Sequence, residues 1–114
     1  MRRPQSLRVW FILALLLLLV ALPGYADTAS DLRALFFQVS AVAAANGFTQ
    51  GERVSLVTKV IEASRSVQRG NESTAANQLG AFINEVEALE RSGRLSAEDA
   101  QALIDSANAI LGEL

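Results

Sequence analysis

The sequence predicts an all-α protein, an antiparallel up-down four-helix bundle that follows an N-terminal signal peptide. Apolar residues recur at the i, i+3, i+4 spacing of an amphipathic helix in four separate stretches. Short segments that contain glycine and helix-capping residues separate these stretches. No stretch shows the alternation of apolar and polar residues that is typical of a half-buried strand. Three short connections between four helices favour neighbours that run antiparallel.

The N-terminal segment has the layout of a secretory signal peptide. Three arginines, at positions 2, 3 and 8, precede fourteen consecutive apolar residues, 9–22, and a short segment ending in Ala26 follows. We predict that residues 1–26 are a cleaved signal peptide and that residues 27–114 reach the periplasm or the cell exterior through the general secretory route. After cleavage we expect no stable membrane insertion. The alternative is an uncleaved anchor that displays the helical domain, although a spanning helix needs about 20 apolar residues.

The composition of residues 27–114 limits the classes of function. Removing the 26 leader residues from 114 leaves 88, enough for one small domain. The leader contains three of the ten basic residues and none of the twelve acidic ones, so the net charge becomes −5. Such a domain is a poor candidate for binding nucleic acid, which proteins bind by neutralising phosphates with Lys and Arg. The chain has no Cys, so helix packing rather than disulfides must supply stability.

The first predicted helix covers about residues 31–46. Thr28 or Ser30 can cap its N-terminus, and Asn46-Gly47 is typical of a helix C-terminus. Its apolar stripe consists of Leu32, Leu35, Phe36, Val39, Val42 and Ala43.

The second predicted helix covers about residues 50–69. Thr49 and Glu52 form a capping box, Phe48 precedes the cap, and Gly70 ends the helix. The residues predicted to face inward are Leu56, Val57, Val60, Ile61, Ser64 and Val67.

The third and fourth helices are predicted over about residues 73–92 and 97–112. Gly93 ends the third helix, and Ser96 caps the fourth with Asp99 in the reciprocal position of a capping box. The third helix is predicted to bury Ala75, Leu79, Phe82, Ile83, Val86 and Leu89. The fourth is predicted to bury Ala100, Leu103, Ile104, Ala107, Ile110 and Leu111.

The residue types argue against catalysis. The chain has no His to activate a nucleophile, and Lys59 is its only lysine. Ser55 lies four residues earlier on the same helix face, where we expect both groups to be exposed to water and the lysine to serve solubility. The helix dipole accounts for Glu98 and Asp99 in a first turn. We predict no catalytic residue, no cofactor and no metal site. A small carboxylate-dependent enzyme or metal-binding protein is the alternative from another class.

Three residues are candidates for binding a partner. Phe37 flanks the apolar stripe of the first helix, so it either seals the edge of the bundle or anchors a partner. Asn77 and Asn84 lie nearly opposite the core side of the third helix, where they form a polar docking strip or are simply solvated. The sequence therefore predicts a non-catalytic interaction module that binds a protein, a cell-envelope component or a second copy of itself.

The sequence of the last two helices resembles a known family. Residues 75–89 and 93–111 are similar to the FIMAH-type helical module, which is found appended, often C-terminally, to exported bacterial enzymes and surface proteins. The resemblance spans most of residues 31–111, and the positions that match the family phrase are Asn77, Phe82, Ile83 and Asn84. It implies a helical accessory domain with no chemistry of its own and no catalytic residues. Such a module usually follows a large partner domain, whereas here we expect only a signal peptide before it.

Overall fold

The computed structural model describes residues 25–114 of the chain. They form four helices: α1 (Tyr25–Ala45), α2 (Gln50–Gln68), α3 (Glu72–Arg91) and α4 (Ala97–Leu111). No strand occurs in this part of the chain, which confirms the all-α prediction. Most of the predicted signal peptide, residues 1–24, lies outside the described residues. Within residues 25–114, no helix has the length and apolar character needed to cross a membrane.

The N-terminus of α1 differs from the prediction. The helix already includes Tyr25, the first described residue, rather than starting near residue 31, because no glycine or proline lies between Tyr25 and Asp31. Thr28 and Ser30 therefore lie inside the helix and do not cap it, and Thr28 is buried. Asp27 is the acidic residue of its first turn.

The other helix boundaries lie within one residue of those predicted, because local signals determine them. The Thr49 hydroxyl accepts from the Glu52 amide at 3.2 Å, and the Glu52 carboxylate accepts from the Thr49 amide at 2.8 Å, so the predicted capping box is present. Gly47, Gly70 and Gly93 follow α1, α2 and α3 with φ of 62°, 77° and 78°, a left-handed conformation that glycine adopts without strain.

The four helices pack in a ring. Each helix contacts the next along the chain, and α4 also contacts α1. The core between them contains the predicted stripes together with Ala63 and Leu95, which were not predicted. Ile61 and Ser64 are exceptions: Ile61 is 36% exposed, Ser64 is only partly buried, and both lie at the surface between α1 and α2. The predicted core residues that are only partly buried pack around the core: Phe36, Val57, Ile83, Leu89, Ile104 and Leu111.

Candidate functional site

A groove between α1 and α2 is lined largely by apolar residues. One section, of about 320 Å³, lies beside the N-terminal half of α1, and a second, of about 260 Å³, lies beside the N-terminal half of α2. Phe36 and Ile61 line both sections, so the two sections adjoin. We call this feature the α1–α2 groove, and it is lined by Ala29, Leu32, Arg33, Phe36, Phe37, Ser40, Arg53, Val54, Val57, Thr58, Val60, Ile61, Ser64 and Gln68.

Phe37 is the most exposed large apolar residue of the described chain. It is 62% exposed, and its ring meets the ring of Phe36 edge to face, with centroids 5.5 Å apart and planes at 89°. Phe36 packs against the core, so it supports Phe37 from below. Because more than half of Phe37 is exposed, the position favours a partner anchor over a seal at the edge of the bundle.

Two further apolar residues extend this surface along α2. Val54 is 48% exposed and Ile61 is 36% exposed. Sequence reasoning missed Val54 and placed Ile61 in the core. The signal was present, since Val54, Val57 and Ile61 occur at i, i+3 and i+7 and so form a second apolar stripe beside the core stripe of α2.

The groove is positively charged although the domain is acidic. Arg33 lines one section and Arg53 lines the other, and no acidic residue lines either. Both arginines are exposed, and neither forms an ion pair with another described residue. Sequence reasoning missed both, because their shared position becomes evident only when α1 and α2 are packed together.

The two asparagines predicted as a docking strip lie on a different side of the domain. Asn77 and Asn84 are both exposed on α3. Because α3 packs against α2 and α4 and not against α1, their face points away from the α1–α2 groove. Phe37 and the asparagines therefore do not form one site.

Ser55 and Lys59 are part of a polar cluster between α2 and α3. The Lys59 ammonium donates to the Glu85 carboxylate at 2.6 Å and to the Ser55 hydroxyl at 3.3 Å, and that hydroxyl donates to Glu85 at 2.8 Å. The lysine is thus not merely a solvated residue, as the sequence reasoning had assumed, because it links two helices. These contacts join α2 to α3.

A second group of polar contacts holds the helix ends. Arg94 donates to Glu52 at 2.7 and 2.9 Å, and this hydrogen bonding, with that of the Thr49 amide, lowers the pKa of Glu52 to about 2. Arg94 also donates to the carbonyl of Gly47 at 3.1 Å. The contacts therefore join the α1–α2 connection to the α3–α4 connection.

Acidic residues meet at the opposite end of α1. Desolvation, followed by a hydrogen bond to Asp31 and repulsion from Asp31 and Asp27, raises the pKa of Glu113 to about 7. Within residues 25–114, neither this group nor any other set of acidic side chains has an arrangement that would hold a metal ion.

Comparison with family models identifies one match. The family model of the FIMAH domain matches residues 29–112, from the first turns of α1 to the residue after α4. FIMAH domains are non-enzymatic accessory domains. Neither the curated proteins nor the solved structures contain a match to this chain.

Proposed function

We propose that this chain, which belongs to the FIMAH domain family, is an exported, non-catalytic interaction module that binds a protein or cell-surface partner through the α1–α2 groove. Residues 1–26 act as its signal peptide, and the helical domain works in the periplasm or outside the cell. Family membership supports the accessory role, and the exposed groove supports partner binding.

We also infer that the four helices form an antiparallel up-down bundle. Ser106 donates to Gln38 at 2.8 Å, and Asn46 donates to Asp99 at 2.8 Å. Residue numbers thus rise along α1 while they fall along α4, as expected for antiparallel neighbours. The connections between consecutive helices are three to five residues long, which favours the same arrangement for the other pairs.

The observation that carries the proposal is the exposure of Phe37 in a groove with further exposed apolar residues. A phenylalanine presents on the order of 200 Å² of surface, so a partner that covers the exposed part would remove roughly 120 Å² from water. At about 25 cal/mol per Å², this contributes roughly 3 kcal/mol before the costs of association.

Comparative capture from envelope extract tests the proposal. The purified protein, a Phe37→Ala variant and an Asn84→Arg variant are immobilised separately, and bound proteins are quantified by mass spectrometry. We expect partners that the wild type and Asn84→Arg retain equally and that Phe37→Ala loses. Loss with Asn84→Arg alone would assign binding to the asparagine strip of α3 instead. Identical capture by the wild type and both variants would contradict partner binding at either surface.

A membrane-anchored display domain is the second reading of the N-terminal segment. Intact mass measurement of the protein recovered from an exporting host distinguishes a cleaved signal peptide from an uncleaved membrane anchor. Cleavage predicts an N-terminus at Asp27 and recovery in the soluble fraction. A full-length mass in the membrane fraction would favour the anchor and leave the proposed role of the groove unchanged.

A further inference from the structure

The charges of the α1–α2 groove indicate the chemistry of its partner. Its floor is apolar, and an arginine lines each of its two sections, with no acidic residue among those that line it. In a domain of net charge −5, this is a local reversal of sign. A partner that matches it carries an apolar face with carboxylates at both ends.

The spacing of the two arginines can be read from α2. Arg53 lies near the start of α2, whereas Arg33 shares its section of the groove with Ile61, Ser64 and Gln68 near the end of α2. The arginines are therefore separated by roughly eleven residues of α2, or about 16 Å at 1.5 Å per residue. Eleven residues are also three turns of helix, so residues i and i+11 of a docked helix share one face.

We propose that the α1–α2 groove binds an amphipathic helix of another protein, with acidic residues at i and i+11 and apolar residues at i+4 and i+7. The inference rests on the proposed function, because it names the partner class for the same surface. A helix fits the furrow between two packed helices, and its apolar residues would cover Phe37 and Val54. Each acidic residue would pair with one of the two arginines.

Two other occupants fit the charges less well. A second copy that docked groove to groove would bring four arginines together, which like-charge repulsion opposes. An anionic membrane would attract the two arginines but repel the excess of acidic residues on the rest of the domain. The acidic helix satisfies both the apolar floor and the two charges.

Synthetic peptides of about sixteen residues test the proposal with the protein purified from cells that express the full chain. One labelled peptide carries Glu at i and i+11 and Leu at i+4 and i+7, the second carries Lys in place of both Glu, and the third is a scrambled version of the first. Fluorescence anisotropy then gives the Kd of each. We expect the Glu peptide to bind at least tenfold more tightly than the other two.

Charge-reversal variants test which residues of the groove bind the peptide. Arg33→Glu and Arg53→Glu should each weaken binding of the Glu peptide about fivefold to tenfold, and the double variant should prefer the Lys peptide. Phe37→Ala should weaken both peptides. Arg91→Glu is a matched charge reversal at an exposed position of α3, and it should change the Kd of the Glu peptide less than twofold. Circular dichroism confirms that every variant remains helical.

Any of the following results would overturn the inference: equal binding of the Glu and Lys peptides, equal effects of Arg91→Glu and the two groove reversals, or Phe37-dependent binding to anionic lipid vesicles without peptide binding. A Phe37-dependent dimer in sedimentation, without peptide binding, would assign the groove to a second copy and would also overturn it. If peptide binding fails while capture from envelope extract still depends on Phe37, only the charge assignment fails and the proposed function stands. If peptide binding and Phe37-dependent capture both fail, the inference and the proposed function are both wrong.

Discussion

Replacing Asn46 with alanine should destabilise the domain more than its position at the end of a surface helix suggests. The Asn46 amide donates to the Val42 carbonyl at 2.9 Å and to the Asp99 carboxylate at 2.8 Å. Its carbonyl accepts from the Ser96 amide at 3.2 Å. One side chain therefore links the last turn of α1 to the first turn of α4.

The expected cost follows from these three contacts. A neutral hydrogen bond contributes about 1 kcal/mol and one to a charged group about 1.5 to 3 kcal/mol. Because the site is only partly buried, hydrogen bonds to water replace part of this energy. We therefore expect Asn46→Ala to lower the free energy of unfolding by about 2 kcal/mol. The freed Asp99 carboxylate can then complete a capping box with the Ser96 amide and return about 0.5 kcal/mol. The net cost is about 1.5 kcal/mol, equivalent to about 6 to 12 °C in Tm.

Urea unfolding followed by circular dichroism measures this cost, with Asn108→Ala on exposed α4 as the matched control. The control should change the free energy of unfolding by less than about 0.5 kcal/mol. A double-mutant cycle with Asp99→Ala should show a coupling of about 1 kcal/mol between Asn46 and Asp99. Additivity of the two substitutions within about 0.3 kcal/mol would refute the link, because independent sites add.

Three further predictions follow from single contacts. Phe82→Ala removes a fully buried ring and should cost about 3 to 5 kcal/mol by calorimetry; a loss below about 1 kcal/mol would contradict the core assignment. Glu113 has a folded pKa of about 7, raised above its usual value, so it destabilises the fold as pH rises from about 4.5 to 7. Glu113→Gln should therefore be more stable than wild type at pH 8 and equal to it at pH 4, and because the residue is exposed the difference should stay below about 1 kcal/mol. The Glu52 carboxylate has a pKa of about 2 in the folded protein, lowered from 4.5. Its contacts therefore stabilise the fold at pH values above about 4.5, and this stabilisation is lost as the pH falls toward 2. Carboxyl NMR titration of Arg94→Gln should show that pKa rising toward 4.5, and no change would exclude the ion pair.

The sequence was sufficient for the features that local signals determine. Capping residues begin α2 and α4, left-handed glycines follow α2 and α3, and the predicted bounds of α2, α3 and α4 agree with the structure within one residue. The predicted start of α1 was wrong because the interval from Tyr25 to Asp31 contains no residue that breaks a helix. Thr28 has a capping preference but lies within the helix. Propensity at one position is a weak guide where tertiary burial favours continuing the helix.

Contacts between distant residues could not be predicted in the same way. Asn46 lies 53 residues from Asp99, and Ser55 lies 30 residues from Glu85. Nothing in the local sequence distinguishes an asparagine that ends a helix from one that also holds another helix. The prediction of a reciprocal capping box at Asp99 was wrong for this reason, since Asp99 accepts from Asn46 and the Ser96 amide donates to Asn46 instead.

The charged residues of this domain include two groups with different contacts. In the first group each charge has a partner on another helix or connection, as Lys59 has Glu85 and Arg94 has Glu52, and these pairs join elements that are distant in the sequence. The second group contains Arg33 and Arg53, which line an apolar groove that no acidic residue lines. Pairs of the first kind contribute within the folded chain whether or not a partner is present. Exposed arginines without an ion pair contribute little to folding, so substitution of Arg33 or Arg53 should affect the proposed partner binding more than the stability of the domain.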